Sequence, residues 1–189
     1  MGLMYKIASA RRVLQGLWWL RRCTHVGSLP RVYGRPRITN LGEIIIGDKF
    51  LFFSNTVPSE MVTYPGGRLE IGSNVFINYG ASLSAHQLLH IGDGCQIGSY
   101  ACMMDNDYHS VEDRSKPGKS RPIILGKNVW LGVRVVVLKG VSIGDNSVIG
   151  AGSVVTKDIP ANCMAAGMPA KVIRTFTDPS SSRVEGNTQ

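Results

Sequence analysis

Leu125, Leu131, Val137, Ile143, Ile149 and Val155 stand six residues apart without a slip. A helix needs apolar recurrence at three and four residues and a lone strand needs period two, so neither element carries this pattern. A sixfold period fits a short strand followed by a sharp turn, with one large side chain turned inward per segment and glycine supplying the unusual turn backbone. Such a chain winds as a solenoid, and each coil buries its inward residue only by stacking on its neighbours.

Most units open on a branched apolar residue followed by glycine, as in Leu125-Gly126, Leu131-Gly132, Ile143-Gly144 and Ile149-Gly150. Four residues after each start comes a small or β-branched side chain: Val129, Val135, Val141, Ser147 and Ser153. The beat recurs upstream at Ile71, Ile77 and Leu83 and, after an eight-residue step, at Ile91, Ile97 and Met103; Ile38, Ile46 and Phe52 repeat it less cleanly. The repeats thus run from roughly residue 38 to 156, with breaks near 53–68 and 104–122. An irregular β-sandwich would instead alternate polar and apolar residues, with turn signals every ~8 to 12 residues. At 189 residues one packed domain with appendages is expected.

The four cysteines, Cys23, Cys95, Cys102 and Cys163, lack metal-ligand spacing, and Cys95 falls on a small inward position, which suggests reduced core thiols in a cytoplasmic protein. The apolar stretch near the N-terminus is interrupted by Arg11, Arg12 and Gln15, and the window Val13 to Leu20 is too short to span a bilayer. Residues 3–22 can form a helix with Leu3, Ile7, Ala10, Leu14, Leu17 and Trp18 along one side, flanked by Lys6, Arg11, Arg12, Arg21 and Arg22. A basic amphipathic helix with tryptophans suits an anionic membrane surface, while the commoner use of such a helix is packing on the solenoid end or on a neighbouring subunit. The formal charge of +8 raises nucleic acid as a partner. The basic residues are spread over several segments without a recognised nucleic-acid motif, so that partner is not expected. Asp178 to Gln189 reads as a polar, disordered tail.

Between Met103 and Leu125 the rhythm stops for Asp105-Asn106-Asp107-Tyr108-His109-Ser110-Val111-Glu112-Asp113-Arg114 and a stretch bearing Lys, Pro and Gly. A loop projecting from a rigid scaffold is a favoured place for function. Within it His109 is the side chain able to exchange protons near neutrality and to act as a general base. A metal-dependent hydratase of the gamma carbonic anhydrase type would need three converging imidazoles, and the spacing of His86, His90 and His109 does not argue for that.

The run from Ile124 to Pro160, with Trp130-Leu131-Gly132, Ile143-Gly144-Asp145-Asn146-Ser147 and Ile149-Gly150-Ala151-Gly152-Ser153, resembles the hexapeptide-repeat acyltransferases. The closing Ala166-Gly167-Met168-Pro169-Ala170-Lys171-Val172-Ile173-Arg174 is similar to that family's terminal signature. The resemblance, covering roughly residues 36–175, is to the acetyl-CoA-dependent sugar O-acetyltransferases. It implies an all-β, left-handed parallel β-helix with an N-terminal helix and a projecting catalytic loop at 104–122. It also implies a homotrimer whose active sites lie between subunits, with acetyl-CoA as donor and no metal.

By that resemblance His109 matches the catalytic histidine, and Asn78 a residue contributing to the acceptor pocket of galactoside-type members. His86 stands where those members carry an acidic acceptor-binding residue, and Glu112 and Asp113 are read as solvated loop charges. Ala151, Thr156, Lys157, Lys171 and Arg174 match the cofactor-binding end, whereas Val133 replaces a serine of some relatives. Trp130 follows an inward position and therefore points outward, toward a subunit interface or ligand groove. The expected organisation is a basic segment at 1–35, the acyltransferase β-helix at 36–175 and a tail at 176–189. The expected activity is acetyl transfer to a saccharide hydroxyl in exopolysaccharide, capsule or lipopolysaccharide synthesis, with N-acylation of an amino sugar as the nearest rival and a noncatalytic trimeric module behind it.

Overall fold

The structure, a computed structural model, describes residues 3–176, with side chains from residue 10 onward. The tail expected from Asp178 and the side chains of Leu3, Lys6 and Ile7 lie outside the described residues. After a helix at Leu3–Trp19 the chain winds as a three-faced parallel β-solenoid, as the period predicts. Face I stacks His25–Val26, Glu43–Ile46, Arg68–Ile71, Leu88–Ile91, Ile123–Leu125 and Ser142–Ile143. Face II runs Arg31–Gly34, Leu51–Ser54, Phe76–Ile77, Gln96–Ile97, Trp130–Leu131 and Val148–Ile149, then closes with the antiparallel hairpin Cys163–Gly167 and Ala170–Thr175. Face III stacks Arg37–Asn40, Glu60–Thr63, Ser82–Ala85, Cys102–Met104, Val136–Val137 and Val154–Val155.

Inward side chains form one column of core. Ile71, Ile77, Leu83, Ile91, Ile97, Met103, Leu125, Leu131, Val137, Ile143, Ile149 and Val155 are all buried, as are Val129, Val135, Val141, Ser147 and Ser153. Ser147 and Ser153 sit in this column because their hydroxyls donate to the carbonyls of Pro160 and Gly150, each at 2.7 Å. Ile97 is fully buried between rungs. Its replacement by alanine is expected to cost about 2–5 kcal/mol, read as a lower urea midpoint at unchanged slope.

The glycine that follows each inward residue has a different role from the one expected. The left-handed turn residues come two positions later, at Asn128, Arg134, Gly140, Asn146 and Gly152. Gly126 and Gly132 are required by close approach of neighbouring rungs: a Cβ at Gly126 would stand 2.1 Å from Asp145 Oδ1, and one at Gly132 would stand 2.7 Å from the Ala151 amide nitrogen. Asparagine tolerates the left-handed turn and adds a ladder, Asn128 donating to Asn146 and Asn146 to Asn162.

Stacking also starts earlier than the sequence reading places it. Val26, Val32 and Ile38 are six apart and form the first rung. The N-terminal helix closes that end with Gly16, and the 3-10 turn Leu20–Arg22 that follows it with Leu20. A Cβ at Gly16 would lie 2.6 Å from the Pro30 carbonyl oxygen, and Leu20 is fully buried in the core.

One corner differs from the other two, which keep a six-residue step except for the nine between Phe52 and Met61. Where face III passes to face I, inward residues are eight apart at Ile38 and Ile46, ten at Met61 and Ile71, eight at Leu83 and Ile91, and 22 at Met103 and Leu125. The next rung returns to six, at Val137 and Ile143. The long loop is thus the extreme of a corner that carries extra residues in four successive rungs.

Candidate active site

The loop leaves face III after Met104 and rejoins face I at Ile123. Its root is Asp105, whose side chain is fully buried. One carboxylate oxygen accepts the His86 amide at 2.7 Å, and the other accepts those of Gln87 and Leu88 at 2.7 and 2.8 Å. These three charge-assisted bonds fasten the loop to the corner of the preceding rung. Asn106 then bridges to Ser120, and Lys139 holds the two strands of the loop by pairing with Asp107 and donating to the Lys119 carbonyl at 3.0 Å.

His109 stands exposed in this loop, opposite Pro117. Its Nδ1 lies 3.2 Å from the Arg114 carbonyl oxygen. A carbonyl only accepts, so the neutral ring carries its proton on Nδ1 and leaves the Nε2 lone pair available to take another. Asp113, read in the sequence as a solvated charge, organises the loop tip by accepting from the Ser115 amide and hydroxyl and pairing with Lys116. Those bonds from Ser115 hold its carboxyl below the ordinary carboxylate range. The group that aims His109 is therefore a backbone carbonyl, which leaves no side-chain signature in a sequence.

Tyr108, in the left-handed region at φ 62°, turns back beneath the loop. Its hydroxyl lies 3.2 Å from Ser84 Oγ, and its ring meets His86 edge-on at 5.1 Å. His86 in turn stacks on Tyr64 at 3.7 Å, and a hydrogen bond to Tyr108, followed by burial, holds the Tyr64 phenol above its ordinary value. His86 thus packs against the residue that precedes His109 in the loop, with a buried Nδ1 that has no hydrogen-bond partner among the described residues and lies 3.9 Å from Asp105. His90 is elsewhere, on face I, 2.8 Å from Glu70. Among the described residues no three His, Cys, Asp or Glu side chains are grouped so as to hold a metal ion.

The remaining predicted residues divide between two places. Asn78, Trp130 and Ala151 line a cavity of about 440 Å³ on face II, together with Phe76, Ile97 and Met164. Trp130 points outward there and is 54% exposed. Lys171 and Arg174 are exposed on the closing hairpin of the same face, Arg174 opposite the groove residue Met164. Thr156 and Lys157 belong instead to the corner that carries the loop, following Val154–Val155 two rungs below Cys102–Met104. A single copy therefore packs His86 against Tyr108 of the loop that carries His109 and gathers Asn78, Trp130 and Ala151 in the face II groove, whose lining includes neither histidine.

A family model for the hexapeptide repeat of succinyl-transferase matches residues 122–157. A protein of Staphylococcus aureus (strain COL) assigned to the acetyltransferases is 36% identical over 157 residues, which take in 74% of this chain and 72% of that one. The chain belongs to the hexapeptide-repeat acetyltransferase family. Within the family, galactoside O-acetyltransferase of Escherichia coli (strain K12) is 43% identical over 115 residues, covering 60% of this chain and 57% of that enzyme, so the match spans little more than half its length. A solved member, the hexapeptide-repeat acetyltransferase of Vibrio cholerae O1 biovar eltor complexed with acetyl coenzyme A, superposes with a TM-score of 0.60 at 25% identity over 89% of this chain and 78% of its own.

All four cysteines are unbridged. Burial pushes Cys23 up to about 12 and Cys95 up to about 11. Both stay protonated near neutrality, so neither is a nucleophile there. Thiol reagents are expected to label these two residues only on unfolding, as followed by mass spectrometry across a urea series.

Proposed function

We propose that this chain transfers an acetyl group from acetyl-CoA to a hydroxyl of a saccharide, with His109 as general base. The observation that carries the reading is the His109 ring itself, held by the Arg114 carbonyl so that Nε2 is the accepting nitrogen. As Nε2 takes the hydroxyl proton, the acceptor oxygen attacks the thioester carbonyl, the carbon–sulfur bond breaks, and the proton passes on to the departing CoA thiolate. Trp130 and Ala151 line the groove assigned to the pantetheine arm, Asn78 and His86 contribute to the acceptor side, and Lys171 and Arg174 offer cations to the nucleotide phosphates. Thr156 and Lys157 join the cofactor end from the loop-bearing corner.

The separation of the two groups in one copy supports a homotrimer in which the loop of one subunit closes over the groove of the next. The kinship with a galactoside O-acetyltransferase supports a saccharide acceptor. We assign the product to exopolysaccharide, capsule or lipopolysaccharide synthesis and the reaction to the cytoplasm. CoA-thiol release from acetyl-CoA, measured across free, nucleotide-linked and lipid-linked saccharides with amino sugars included, tests the reading. Turnover only on amines would move it to N-acylation, and no CoA binding at all would overturn it. Within the same assay Trp130→Ala is expected to raise the KM for acetyl-CoA roughly tenfold, the scale of one lost aromatic contact of ~1.4 kcal/mol, with a smaller change in kcat.

A further inference from the structure

The N-terminal helix meets the solenoid with Gly16, and the 3-10 turn that follows it with Leu20, whereas the apolar stripe of Ala10, Leu14, Leu17 and Trp18 faces away from it. Leu14, Leu17 and Trp18 are 68%, 44% and 54% exposed. Arg21 lies over the Trp18 ring at 4.2 Å and donates to the Trp18 carbonyl at 2.7 Å, so a cation is held against the stripe. Arg11 is exposed next to it in sequence, and Arg12 is turned away to Tyr33.

The charge of the chain is concentrated at the same end. Residues 1–42 contain Lys6 and seven arginines, at 11, 12, 21, 22, 31, 35 and 37, and no acidic residue precedes Glu43. The other thirteen basic residues are matched by all 13 acidic ones, so the whole formal +8 belongs to this segment. All seven arginines are exposed.

We propose that this end of the solenoid docks on an anionic lipid bilayer, the stripe entering the headgroup region and the arginines neutralising lipid phosphates. An apolar helix face bearing tryptophan and bordered by arginines has the chemistry of an interfacial helix. A second copy is the weaker occupant, because two such ends bring two +8 segments together. Nucleic acid would use the arginines and leave Leu14, Leu17 and Trp18 in water. The inference is independent of the acetyl-transfer reading.

Co-sedimentation of the full chain with phosphatidylcholine vesicles, with and without phosphatidylglycerol, tests it. Binding is expected only to the anionic vesicles and to weaken with salt. Replacing Arg11 and Arg21 together by glutamine should lower the partition coefficient roughly thirtyfold, and Leu14→Ser with Trp18→Ser by tenfold or more. These side chains are exposed, so circular dichroism melts should match the parent and separate lost docking from lost folding. Equal binding to both vesicle types, sedimentation of the stripe variant like the parent, or a stripe variant that changes oligomeric mass in light scattering would overturn the proposal.

Discussion

Replacing His109 by alanine is expected to lower kcat for acetyl transfer by ~10² to 10⁴, with acetyl-CoA affinity close to that of the parent and an unchanged melting curve. The ring is exposed and, among the described residues, makes its side-chain hydrogen bond to the Arg114 carbonyl alone, so its removal leaves the core untouched. Single-turnover measurement with a productive acceptor is the decisive readout, because it separates chemistry from cofactor binding. Full activity in the alanine variant would remove His109 from the mechanism. A large rise in the KM for acetyl-CoA at constant kcat would recast it as a binding residue.

The second large effect concerns a side chain that need not touch the reactants. Asp105→Ala is expected to cost about 3 kcal/mol of stability or more and to lower kcat as well. It leaves the amides of His86, Gln87 and Leu88 without their acceptor, at ~1–3 kcal/mol for each group that stays unsatisfied. Asp105→Asn keeps the shape but can retain only one carbonyl oxygen, so an intermediate loss is expected in both urea midpoint and kcat. If the asparagine variant matched the parent in both, the carboxylate would not be what fastens the loop. The two measurements together distinguish Asp105 from a residue of purely structural value, since alanine at Ile46, buried in the core away from loop and groove, should lower stability while leaving kcat per folded molecule unchanged.

Much of the scaffold was legible because its physics is one-dimensional. Every rung asks the same thing of the same position, so Leu125 through Val155 announce their burial by spacing alone. The first rung escaped because Val32 and Ile38 lack the glycine that follows Val26 and most later inward residues, although the sixfold interval was present. The loop was visible as an interruption, and His109 stood out as its titratable group. Arg114 could not be found the same way, since its contribution is a carbonyl common to every residue. Asp105 resembled its neighbours Asp107 and Asp113 in a polar run, and only folding separates the buried carboxylate from the exposed Asp107 and the half-buried Asp113. For the helix, period 3.6 revealed an apolar stripe without saying which side meets the solenoid. Gly16 was the available signal, because a residue without a side chain marks where two backbones approach.

The two ends of the solenoid bear on the behaviour of the chain in concentrated solution. A stack of parallel coils presents open strand edges at its first and last rungs, and each is a template for adding another stack. Here Leu20 seals one end of the column and the antiparallel strand Ala170–Thr175 interrupts the parallel pattern at the other. These terminators limit growth along the fibre axis. A chain trimmed back to its regular coils would keep the same core while gaining the geometry of a polymerising unit.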